Sequence, residues 1–283
     1  MTKPESVTWT LSGFGDEISP DPAIQMAVLE ALGASHLEVR STWDVNVVDL
    51  TDDQLSALAG QLTAQGFQAS AVASPIGKVD VSLDPELEVE RLRRIIRVAH
   101  ALGTPNIRIF SFFRGDGVTV ESTRDAVMFR MRRLADEAER EGVTLLHENE
   151  KGIYGDTPER VLDLVESVGS PALRLAWDSA NFVQVGVERP HDTGFALLRQ
   201  YLDYLQVKDA VAATGQVVPA GHGDGQVLET LTALRDDGYT GFASLEPHLS
   251  AAHSLGGFSG PAAFGQAARA FAGLLAEIGV STK

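Results

Sequence analysis

The 283-residue chain has no cysteine, which excludes disulfide staples, thiolate nucleophiles and thiolate-bound metals. Any metal must therefore sit on oxygen or imidazole. Basic residues are in deficit: 23 Lys and Arg stand against 39 Asp and Glu, a formal net charge of −16. A field of that sign repels polyphosphate backbones and anionic lipid surfaces, so neither nucleic acid nor a membrane is an expected partner. Long apolar runs are missing too. No window reaches the roughly 18 apolar residues needed to span a bilayer. The opening stretch MTKPESVTWTLSGFG has no apolar centre between a cationic flank and a small-residue cleavage site. The expected location is the cytoplasm. No linker rich in Pro, Gly or Ser interrupts the chain, so residues 1–283 are expected to form one domain.

What is present is a repeated unit of amphipathic helix, glycine, then a short apolar or β-branched run. The glycines are Gly33, Gly66, Gly103, Gly142, Gly169, Gly238 and Gly279, each placed where a helix would end in the left-handed conformation. Strand candidates follow most of them: SHLEVR, FQASAVAS, NIRIF, VTLLHEN, LRLAWD and FASLEP. TWTLSGF at the start and YLQVKD bring the count to eight. The interval from Gly169 to Gly238 is double the others, and LRQYLDYLQVKD supplies a helix-to-strand junction there without glycine. Helix starts agree. Asp84-Pro85 and Thr157-Pro158 pair an N-cap with proline at the first helical position, and Thr51 with Gln54 makes a capping box. Eight such units, at roughly 35 residues each, predict an α/β fold, a (β/α)8 TIM barrel, over an open doubly wound sheet.

In such barrels the active site lies at the C-terminal ends of the strands. Strand five ends in His147-Glu148-Asn149-Glu150, strand six in Trp177-Asp178, strand seven carries Gln206 and Lys208-Asp209, and strand eight ends in Glu246-Pro247-His248. Three carboxylates buried together would repel unless neutralised. Glu148, Asp178 and Glu246 with the amide oxygen of Gln206 would form an oxygen-rich site suited to magnesium or manganese. The bland alternative is that they pair with Lys151, Lys208 and Arg108 as salt bridges. Lys208, His222 in the loop GHGDGQ, Glu150, Lys151, His248 and Glu17 are further candidates by position. His147 should point away from Glu148 into the packing between barrel and helices, whereas His36 and Glu38 share one face of strand two. Trp43, Trp177, Phe112 and Phe113 could stack on a ring, although aromatics at strand ends are more often core. Arg91, Arg93, Arg94 and Arg97, interleaved with Glu86, Glu88 and Glu90, read as a solvated helix face.

These stretches resemble the xylose-isomerase-like barrels, the sugar-phosphate isomerase/epimerase family that includes tagatose-type 3-epimerases, hydroxypyruvate isomerases, inosose dehydratases and endonuclease IV. The resemblance covers nearly the whole chain and is carried by GFGDEIS, HENEKGIYGDTPE, WDSANF, QVKD, GHGDGQ and SLEPH in that order. It implies metal ligation by Glu148, Asp178, Gln206 and Glu246, with manganese or magnesium favoured and cobalt or zinc left open. Gln206 stands where a histidine is usual, Asn181 where many relatives place a substrate-contacting histidine, and Ala212 where ketose epimerases have an arginine.

The resemblance further implies that Glu148 and Glu246 lie on opposite faces of a carbohydrate substrate, one as base and one as acid, acting through a metal-stabilised enediolate. Lys208, Asn181, His222, Glu150 and Lys151 would bind the substrate; barrels of this family often associate through outer helices and loops, which leaves a homo-oligomer open, and no stretch of this chain stands out as an interface. The expected activity is a metal-dependent sugar or sugar-phosphate isomerase/epimerase. The alternatives are a lyase of the inosose dehydratase kind and a catalytically silent sugar-binding barrel. An endonuclease-like role is opposed by the acidic charge and by only 7 histidines.

Overall fold

Each of the seven glycines assigned to a helix end takes a left-handed backbone, with φ between 65° and 86°. Helix boundaries therefore fall where the sequence predicts them. In the computed structural model the described residues are 7–250 and 257–283. The first six residues of the stretch read for a leader lie outside them.

All eight predicted strands form: β1 (Thr8–Gly13), β2 (His36–Val39), β3 (Gln68–Ala73), β4 (Asn106–Ile109), β5 (Thr144–Glu148), β6 (Leu173–Asp178), β7 (Leu202–Val207) and β8 (Phe242–Leu245). They pair in parallel in chain order from β2 to β8, and β8 returns to β1. The two ends of this curled sheet meet at an isolated parallel bridge between Phe14 and Glu38. A short ninth strand, β9 (Ser281–Thr282), pairs with β1 on the edge opposite β8. The architecture is the TIM barrel that the eight-fold count implies.

Helices α1 (Pro22–Ala31), α2 (Asp52–Ala64), α3 (Pro85–Leu102), α4 (Val120–Glu141), α5 (Pro158–Val168), α6 (Ser179–Gln184), α7 (Val227–Asp236) and α8 (Gly260–Ile278) connect the strands. The side chains of Asp84 and Thr157 cap α3 and α5, and Thr51 with Gln54 forms the capping box of α2. The junction without glycine is an irregular run, a π-turn at His191–Phe195, then α-helix and 3-10 turn to Tyr201, which feeds directly into β7. The main apolar core lies between sheet and helices and includes Trp9, Trp177, Phe264 and Phe271. A smaller cluster, Ala71, Leu146, Ala176 and Tyr204, fills the barrel interior below the mouth.

Candidate active site

Parallel register decides which side chains meet. Partners in a parallel pair project to the same face, and Asp178 pairs with Gln206, which pairs with Ser244. Two residues further along β7 and β8, Lys208 and Glu246 keep that face. Glu148 pairs with Ala176, two residues before Asp178. All five polar side chains therefore project into one mouth, whereas His147 turns outward. There His147 is fully buried, with Nε2 2.9 Å from the Ser111 hydroxyl, and burial lowers its pKa to about 3.

The mouth is a ring in which each carboxylate meets a cation. Lys208 Nζ lies 2.8 Å from Asp178 Oδ2 and 2.9 Å from Glu246 Oε2. Arg108 Nη1 donates to Glu148 Oε2 at 2.8 Å, and Arg40 Nη1 donates to Glu246 Oε1 at 3.1 Å. Of the bland pairings weighed from the sequence, Lys208 and Arg108 thus form theirs. Lys151 is exposed and makes no ion pair among the described residues. Asn181 donates through Nδ2 to Glu148 Oε1 at 2.9 Å and through its backbone N–H to Asp178 Oδ1 at 2.9 Å. The end of the Gln206 amide lies 3.1 Å from both Glu148 carboxylate oxygens, where its nitrogen could donate and, with an ion between them, its oxygen could ligate.

Burial alone would raise the Glu246 carboxyl, but Lys208, His248 and Arg40 hold it well below the usual carboxylate range. Asp178 is pushed up to about 7, because burial with Glu148 and Glu246 nearby outweighs the pull of Lys208. Lys208 is itself held charged against burial by Asp178, Glu246, Glu148 and Glu150. Behind the ring, Glu17 is raised by burial, with His248 and Arg40 opposing. It accepts from the His248 backbone N–H at 2.8 Å and the Ser259 hydroxyl at 2.7 Å. His248 takes φ 45°, an uncommon conformation for a residue with a side chain, and its Nε2 lies 3.3 Å from Glu246 Oε1.

Two adjoining cavities, of about 210 and 300 Å³, share Glu150, Lys208, His248 and Gly257 in their walls. The inner one also reaches Glu148, Glu246, Arg40, Arg108 and Lys78; the outer one reaches Lys151 and Asn181. Glu150 binds Lys78 at 3.2 Å and accepts the Lys151 backbone N–H at 2.8 Å. Of the five residues expected to bind substrate, His222 stands apart: it is exposed and lines neither cavity. The glycines of its loop close on a protein group instead. Asp209 accepts backbone N–H bonds from Gly221, Gly223 and Gly225 at 2.9–3.0 Å, and a Cβ at Gly223 would lie 2.4 Å from the Ala210 carbonyl oxygen. Trp177 and Phe112 are core.

Sequence reasoning missed Arg40, and it weighed Arg108 only as a counter-ion and Lys78 not at all. Both guanidinium groups lie over the Phe14 ring, and Arg108 also lies over Phe110. The signal was available, since SHLEVR ends in arginine and NIRIF contains one. Both lie on predicted strands two and four, outside the run of strand-end carboxylates on strands five to eight.

The donor set suits a divalent cation. Glu148, Asp178 and Glu246 each bring one oxygen within 4.8 Å of the others, an all-oxygen group of the kind hard ions prefer. Asp178 Oδ2 meets only the Lys208 ammonium among the described residues and accepts no well-directed hydrogen bond.

A family model described as xylose isomerase-like TIM barrel matches residues 26–272. A 2-epi-5-epi-valiolone 7-phosphate 2-epimerase from Actinoplanes sp. is 31% identical over 182 residues, which are 62% of this chain and 65% of that protein. The match thus spans just under two thirds of that relative. A structure described as a D-tagatose 3-epimerase-like protein superposes with TM-score 0.77 at 16% identity, covering 95% of this chain and 98% of the other. A xylose isomerase-like TIM barrel protein from Mycobacterium smegmatis in complex with magnesium gives 0.67 at 19% identity, covering 97% and 100%. Among the described residues no helix is long and apolar enough to cross a membrane. With its eight-strand barrel, its carboxylate-rich mouth and a family model matched over most of its length, the chain belongs to the xylose isomerase-like TIM barrel family.

Proposed function

We propose that this chain is an epimerase or isomerase of a polyhydroxy ketone, a sugar, sugar phosphate or cyclitol ketone, that moves a proton at the carbon beside the carbonyl with help from a divalent cation. The observation that carries this is the convergence of Glu148 and Glu246 on one cavity, each oriented by fixed donors. Removing a proton beside a carbonyl needs a base, charge stabilisation at the oxygen and an acid to return the proton. A cation held by Glu148, Asp178 and Glu246, with Gln206 beside them, would supply the charge stabilisation.

The remaining work belongs to the side chains. Lys208, His248 and Arg40 keep Glu246 ionised. Arg108, Asn181 and Gln206 orient Glu148. One glutamate takes the proton, and the other, carrying a proton of its own, delivers that one. Return to the same carbon from the other side gives the epimer; return to the neighbouring carbon gives the isomer. Asn181, Glu150 and Lys151 on the cavity walls are placed for substrate hydroxyl groups. The relative named as a 2-epimerase of a phosphorylated valiolone supports an inversion of this class.

The test is NMR-monitored incubation with a panel of ketoses, ketose phosphates and keto-cyclitol phosphates, for wild type and Glu148→Gln. Inversion or carbonyl migration by the wild type is expected, slowed about 10²–10⁴-fold in the variant. Loss of water in place of inversion would reassign the site to a dehydratase. Undiminished turnover in Glu148→Gln would remove the proposed acid–base pair.

A further inference from the structure

We infer that Lys208 is a resident counter-cation whose ammonium occupies the carboxylates a divalent ion would use, so that displacement of this side chain sets the ion affinity. The inference rests on the cation site of the proposed function and adds what controls its occupancy. Asp178 and Glu246, which Lys208 contacts at 2.8 and 2.9 Å, are two of the three carboxylates that converge within 4.8 Å. An ion bonded to both oxygens at about 2.0–2.6 Å would take the space the ammonium fills. Like charges so close in a buried site also repel strongly.

The three cations of the ring are not equally free to leave. Arg40 is also tied to Asp16 at 2.8 Å and to the Gly257 carbonyl oxygen at 2.9 Å. Arg108 is held over the Phe14 and Phe110 rings and against the Ser74 carbonyl oxygen. Among the described residues Lys208 has only the two carboxylates, and it hangs on a flexible four-carbon stem. Its acidic destination is Glu150, which shares both cavity walls with it and already binds Lys78. Two states follow. In one the ammonium closes the ring and excludes the ion; in the other the ion holds Asp178 and Glu246 and the ammonium turns toward Glu150, into the space open to substrate oxygens. Ion binding is thereby coupled to the surface the substrate meets.

The probe is manganese alone, titrated calorimetrically into the full chain of wild type, Lys208→Met and Lys208→Arg, with thermal melts at each ion concentration. Lys208→Met is expected to bind the ion about tenfold more tightly than wild type, or better, and to gain more melting temperature from it. Lys208→Arg, with a wider and more firmly bonded head group, is expected to bind more weakly than wild type. Glu150→Gln should weaken the ion in the wild-type background more than in Lys208→Met. If Lys208→Met fails to fold, the order of wild type over Lys208→Arg decides. Ion binding by wild type that is matched or exceeded by Lys208→Arg, or not improved by a folded Lys208→Met, overturns the competition and leaves the cation site standing. No binding by any of the three proteins removes both.

Discussion

The two halves of the barrel mouth carry opposite charge. Strands β5, β6 and β8 deliver Glu148, Asp178 and Glu246, whereas β2 and β4 and the segment after β3 deliver Arg40, Arg108 and Lys78. Lys208 stands on the acidic half and belongs by charge to the other. Each half alone would be unstable, because several buried like charges repel and lose their hydration. Together they make a site whose carboxylates are buried and held in place by paired cations. The acidic half supplies the reacting groups; the basic half makes it affordable to keep them buried.

That division orders the expected effects. Removing a reacting group is the largest: Glu246→Gln should lower turnover by about 10²–10⁴-fold, with a folded protein verified by circular dichroism. Removing a supporting cation comes next. Arg108→Met leaves Glu148 in place without its ion partner, and about 3–5 kcal/mol of stability should be lost in urea unfolding. Adding Glu148→Gln should recover part of that loss, since the uncompensated charge goes with it. Full additivity of the two substitutions would break the picture of a mutually neutralised ring.

A smaller effect lies on the barrel floor. Glu38 accepts from the Tyr204 hydroxyl at 2.9 Å, and that hydroxyl also meets Ser70, which meets Ser12. Burial, opposed by Arg108, pushes Glu38 up to about 7 from an ordinary 4.5. Between those values the folded protein holds a proton that the unfolded chain has released, so stability falls as pH rises through the window and is level above it. Glu38→Gln should abolish a decline of about 1–3 kcal/mol, read as the pH dependence of the difference in unfolding free energy. The smallest effect is expected at His222, exposed and outside both cavities. His222→Ala should change stability by less than about 0.5 kcal/mol and leave catalytic efficiency unaltered.

The same contrast explains what was legible in the chain. Strand count, helix ends and the inward face of β5 to β8 follow from local rules: glycine at helix ends, alternation along strands, carboxylates at strand ends. All eight strands and all seven glycine caps were visible that way. Which cation neutralises which carboxylate was not, because Arg40 meets Glu246 across 206 positions of sequence and only barrel closure brings them together. The GHGDGQ loop shows the other limit. Its glycines do permit close backbone approach, but the group approached is Asp209 of the same chain, and no pattern of loop residues distinguishes an internal carboxylate from a bound ligand.

The central claim is proton transfer by Glu148 and Glu246 at a carbon beside a carbonyl, and solvent isotope exchange tests it most directly. Incubation of the substrate panel in deuterium oxide should place deuterium at that carbon in wild-type product, with the exchange lost in Glu148→Gln and Glu246→Gln. Product formed without deuterium, or exchange that survives both substitutions, would contradict it.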